Sequence, residues 1–124
     1  GYALKSNGNV EMTARSGETV RVNGLSLAFR RIGAGDSTTI TSADNIVHLA
    51  VTSDITLTLN SNCPYGHVVF IIKSGTSKLT LYSSAGFYDQ DNNNKGTSWT
   101  LASQEKSRIF VRGNPGWREF YCGT

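Results

Sequence analysis

The densest set of side chains able to do chemistry lies between Tyr82 and Asn94. There Tyr82, Phe87 and Tyr88 lead into the run Asp89-Gln90-Asp91-Asn92-Asn93-Asn94. A sugar ring offers apolar C–H faces to aromatic side chains and hydroxyls to carboxylates and amides. Tyr82, Phe87, Tyr88, Asp89, Gln90, Asp91 and Asn92 therefore form the candidate ligand-binding set. The alternative places Tyr82 and Phe87 in the core or between subunits, with the polar run a plain connection. Asp89, Asp91 and Asn93 also share the alternate oxygen spacing that opens a calcium loop. The sixth and twelfth positions of that loop are Asn94 and Thr100, where Gly and Glu are required.

Catalytic patterns fare worse. Asp36, Asp44 and Asp54 fall in turn-like contexts, where Asp caps its own backbone. Asp89 and Asp91 are too near in sequence to oppose each other across a glycosidic bond. No serine sits in a nucleophile elbow, and Gly33-Ala34-Gly35 lacks a following helix to aim amides at a phosphate. His48 is expected in a strand and His67 in a turn, neither as a metal ligand. The chain is read as non-enzymatic, with no catalytic residue, metal or cofactor.

These residues need a scaffold, and the composition bounds it. The chain has 124 residues, enough for one domain, with 38% hydrophobic and 10% aromatic residues. Apolar content this thin suits a subunit that completes its core against copies of itself. The net charge of +3 is spread between an early group, Arg15, Arg21, Arg30 and Arg31, and a late one, Lys106, Arg108, Arg112 and Arg118. A nucleic-acid binder clusters its basic residues on one element, so nucleic acid is not an expected partner. No apolar run is long enough for membrane insertion as a helix. Cys63 and Cys122 each close an expected strand. One bridge between them is compatible with the sequence, and two free thiols suit assembly in a reducing cytoplasm.

Strand alternation runs through nearly the whole chain. Ile55, Leu57 and Leu59 share one face of a strand, and Thr56 and Thr58 the other. Val68-Val69-Phe70-Ile71-Ile72 is apolar throughout, so it is expected as a central strand covered on both faces. Asn23-Gly24 predicts a tight hairpin between Thr19–Val22 and Leu25–Phe29. Ser74-Gly75-Thr76-Ser77 and Gly113-Asn114-Pro115-Gly116 read as turns, and 83–98 as a long loop. About nine short strands spaced roughly ten residues apart predict an all-β fold, specifically an antiparallel, jelly-roll-like β-sandwich. The expected domain is 17–124, with 1–16 a linker or the remnant of an upstream shaft.

An ordered series of motifs covers about two thirds of the chain: Thr39-Ile40-Thr41, Leu57-Thr58-Leu59, Pro64-Tyr65-Gly66 and the apolar strand from His67 to Ile72. It continues with Ser74-Gly75, Leu79-Thr80-Leu81, Glu105-Lys106-Ser107, Ile109-Phe110-Val111, Gly113 and Trp117-Arg118-Glu119-Phe120. From Thr38 onward this order resembles the C-terminal module of bacteriophage tail fibres and tailspikes. The resemblance implies a homotrimer at the fibre tip, assembled in the host cytoplasm and carried on the virion. It implies receptor binding, to a bacterial surface polysaccharide or an outer-membrane protein. Members often carry paired His-x-His positions that bind metal inside the trimer; His48 and His67 are isolated here. Two alternatives stay open: a purely structural trimerisation cap, and a carbohydrate-binding module of a larger enzyme. Trp99 and Trp117 are expected in core or trimer packing.

Overall fold

The computed structural model describes residues 6–8, 10–73, 77–101 and 106–123. Among these residues nine strands form one curled, mixed sheet: β1 (Phe29–Ile32), β2 (Thr39–Ile40), β3 (Ile46–Leu49), β4 (Ile55–Leu59), β5 (Val68–Lys73), β6 (Leu79–Tyr88), β7 (Asn94–Leu101), β8 (Lys106–Arg112) and β9 (Trp117–Cys122). Among the described residues no helix is long and apolar enough to cross a membrane.

The chain winds. β1, β3 and β5 pair in parallel, and so do β2, β4 and β6. It thus alternates between two ladders, completing three coils of roughly twenty residues each, in the manner of a solenoid. Alternating side chains send Ile32, Val47, Leu49, Val69 and Ile71 inward from the first ladder. Ile40, Leu57, Leu59, Leu79 and Leu81 meet them from the second. β8 runs antiparallel to β5, and β9 joins β8 to the end of β6, so this pair bridges the ladders. Phe87, Phe110 and Trp117 fill that closed end, with the Phe87 and Phe110 rings edge to face at 5.9 Å. At the other end β1 and β2 terminate the sheet, each with one edge unpaired among the described residues.

Polar side chains register the coils at their corners. Asn45 Nδ2 donates to Val68 O at 3.1 Å, and Ala28 N donates to Asn45 Oδ1 at 3.4 Å. One amide thus ties together the starts of β1, β3 and β5. Arg30 donates to Asp44 Oδ1 at 2.9 Å, Ser37 O at 2.7 Å and Thr39 O at 3.0 Å, fixing the first coil's turns. Lys78 N donates to Asp54 Oδ1 at 2.8 Å, and Gly33 N to Asp36 Oδ2 at 2.8 Å. Asp36 caps its own turn, as expected of it, whereas Asp54 bonds an amide of the next coil and ties the two together.

Several expectations need correction. The pairing is not that of an antiparallel fold: both ladders are parallel. Two-residue alternation is the same in either arrangement, and each parallel crossover here contains the partner ladder's strand instead of a helix. The Asn23-Gly24 hairpin does not form; residues 17–28 carry no strand, and neither residue takes the positive φ of a type I′ turn. A two-stranded hairpin with no core to cover is marginal, and Val20, Val22, Leu25 and Leu27 stay exposed. The long loop is instead the β6–β7 hairpin, whose turn spans only 89–93. Gly86, at φ 83° inside the register shift of β6, supplies the backbone conformation that the bulge requires. The 74–76 part of one expected turn, Glu105, and residues 1–5 and 9 of the expected linker lie outside the described residues.

Candidate functional site

The two ladders bury similar residues inward and present opposite chemistry outward. Across the first ladder and its continuation, Phe29, Ile46, Phe70, Ile109 and Tyr121 stand side by side in register on the outer face. Val68 beside Val111 extends this apolar row on one side, ending at Arg118, and on the other side Ile72 stands in a row with Arg31, His48 and Ser107. Phe29 is 62% exposed, Tyr121 51% and Phe120 72%. Val68, Phe70, Ile109, Val111 and Phe120 line a shallow hollow of about 330 Å³. The strand Val68–Lys73 is therefore covered by this chain on one face only. On the second ladder the outer rows are Thr39, Thr58, Tyr82 and Ser98, then Thr56, Thr80 and Thr100. The Thr80 and Thr100 hydroxyls lie 3.2 Å apart, in hydrogen-bond contact.

The β6–β7 turn opens a second, polar surface. A cleft of about 350 Å³ brings Asp89, Gln90 and Asp91 together with Lys95 and Trp99 of β7. Its remaining wall comes from Arg108 of β8 and Glu119 and Cys122 of β9. Arg108 Nε lies 3.1 Å from Glu119 Oε2, and these side chains are only 6% and 8% exposed. The pair is at ion-pair distance but is not aligned as a hydrogen bond, so Nε has no hydrogen-bond partner. Gln90 Nε2 donates to Glu119 Oε1 at 3.3 Å, linking the turn to β9. Lys95 Nζ sits 3.6 Å from Asp89 Oδ2 and 5.6 Å from the centre of the Trp99 ring.

The expected ligand-binding residues divide. Asp89 organises the turn: its Oδ1 accepts from Asp91 N and Asn93 N, each at 2.9 Å, and its Oδ2 from Asn93 Nδ2 at 3.2 Å. The Asn93 backbone N–H, more than the side-chain amide, the Asp91 N–H and Lys95, holds this carboxyl below its ordinary range. Asn92 adopts φ 63°, and Arg118 Nη1 donates to its Oδ1. Arg118 also lies over the Tyr88 ring, 4.6 Å from its centre. Phe87 is fully buried, so neither face of its ring is open to a ligand. Tyr82 stands on the outer face of the second ladder, away from the cleft-lining residues. Sequence reasoning missed Lys95, Trp99, Arg108 and Glu119 as a group. Reading Asp89 to Asn93 as a hairpin turn would have placed Lys95 and Trp99 on its returning arm.

Other chemistry is scattered. His67 Nε2 donates to Asp44 O at 2.7 Å, and its ring meets the edge of the fully buried Trp117 at 6.4 Å. His48 lies on β3, and among the described residues no three His, Cys, Asp or Glu side chains are grouped to hold a metal. Cys63 and Cys122 are both free thiols; burial raises the pKa of Cys63. No protein-family model matches this sequence, and no curated protein matches it significantly.

Proposed function

We propose that this chain is a self-associating tip module of a bacteriophage tail fibre or tailspike, trimeric through the outer face of its first ladder and in contact with the host surface. The carrying observation is the apolar row Phe29, Ile46, Phe70, Ile109 and Tyr121, left open beside a hollow walled by Val68, Val111 and Phe120. A fully buried aromatic residue covers 150–250 Å², so Phe29, Tyr121 and Phe120 alone expose on the order of 300–450 Å². That already matches the largest apolar patch of a typical monomer, before Ile46, Val68, Phe70 and Ile109 are added. A stable interface needs about 800 Å² per partner, which this face can approach when two copies share it. The row itself carries no charge, so its best complement is an equally apolar surface, and a second copy supplies one. Packed in this way, each curled sheet serves as one layer of a sandwich-like assembly.

The motif order from Thr38 onward supplies the setting and the number three. The reading is non-catalytic: Asp36, Asp44, Asp54 and Asp89 are engaged by backbone amides. Host contact falls to the surfaces that association leaves open. The test is the mass of the whole chain by multi-angle light scattering. A trimer for the wild type and a monomer for Phe70→Glu, with Thr80→Glu remaining trimeric, support the reading. A wild-type monomer at micromolar concentration overturns self-association; a dimer, or a trimer unaffected by Phe70→Glu, overturns this interface.

A further inference from the structure

We propose that the cleft beneath the β6–β7 turn binds a neutral sugar ring, stacked against Trp99 and hydrogen-bonded through its hydroxyls to Asp91 and Gln90. The inference deepens the host-contact part of the proposed function and rests on it. Its first support is placement. Consecutive strand residues point to opposite faces, so Arg108 and Glu119 face the cleft while Ile109 and Phe120 face the apolar hollow. Association through the hollow therefore leaves the cleft open.

The second support is the charge pattern. Asp89 is matched by Lys95 and Glu119 by Arg108, so Asp91 alone among the lining charges has no partner among the described residues. An anionic sugar meets an unpaired carboxylate and is repelled, whereas a neutral ring offers that carboxylate hydroxyl donors. The third is the floor of the cleft. Arg108 and Glu119 are held nearly out of water against each other, Nε to Oε2 at 3.1 Å, so they form a fixed, charge-balanced wall. Trp99 is half-buried and braced edge-on against Phe110 at 6.0 Å, so its ring is a rigid platform. The Lys95 ammonium above it sits on a flexible stem that a ligand can displace at small cost.

The experiment is calorimetric titration of the whole chain with neutral oligosaccharides of glucose, galactose, mannose and N-acetylglucosamine, and with uronic-acid oligomers as the charged set. The mass of each sample is measured alongside. At least one neutral oligosaccharide should bind saturably and the uronic acids should not. Trp99→Leu should abolish that binding. The exposed Asp91→Asn, which leaves the fold intact, should weaken it about tenfold or more. Binding should also change tryptophan emission through Trp99, since Trp117 is sealed in the core. No neutral binder in a correctly assembled sample overturns the inference, as does binding only of uronic acids or binding unchanged by Asp91→Asn. A monomer that still binds the sugar overturns the trimer and leaves the cleft standing; a trimer that binds nothing does the reverse.

Discussion

The two parallel ladders of this fold share an inward chemistry and part company outward. Val69 and Ile71 of the first ladder and Leu57 and Leu81 of the second are equally sealed in the core. Facing away, the first ladder shows Phe29, Ile46 and Phe70 in one row, and the second shows Thr56, Thr80 and Thr100. Both patterns alternate every second residue, so both are good strands. The inner residues decide that the chain folds, and the outer ones decide what each sheet can face. A threonine row offers hydroxyls to water; a row of phenylalanine and isoleucine offers it only apolar surface.

The largest effects should come from the shared inward face. Ile71→Ala and Leu57→Ala should each cost about 2–5 kcal/mol in urea denaturation, because each removes a side chain from a sealed core. Similar losses confirm that the ladders are equivalent inside, and a small loss for Ile71 alone would break the comparison. Removing the corner amide of the first ladder comes next. Asn45→Ala strands Val68 O and should cost about 1–2 kcal/mol, with hydrogen exchange rising first at the starts of β3 and β5. The smallest effect lies at the hairpin of the second ladder. The Asp89 carboxyl has a depressed pKa in the fold, so its contribution is present above its unfolded value and fades as the pH drops through the folded one. Asp89→Asn should therefore lower the melting temperature slightly at neutral pH and leave it unchanged once the pH is below both values. A deficit of the same size persisting there would mean that Asp89 acts by packing, not by charge.

Much of the strand content was legible because alternation and turn chemistry are local. Ile55–Leu59 and Val68–Lys73 match their expected spans to within a residue. Partnership was not legible, since period two is common to parallel and antiparallel pairing and register is set by distant residues. Ser83-Ser84-Ala85-Gly86 reads as a loop by composition, yet it continues β6 because the bulge at Gly86 lets the strand bend and go on. Asp89 and Asp91 of the cleft stood out by type. Trp99, Arg108 and Glu119 did not, because only the fold brings three separate strands to one wall.

The unpaired edges of β1 and β2 carry a last consequence. One end of the stack is closed by β7, β8 and β9, and the other ends in two parallel edges that are bare among the described residues. Each coil rests only on its neighbours, so the stack behaves as a ruler with one fixed end. Further coils of about twenty residues inserted ahead of β1 would lengthen it without moving the polar cleft or the turn above it. The length of the stack and the shape of its cap are in this way separable properties, one set by the number of coils and the other by β7, β8 and β9.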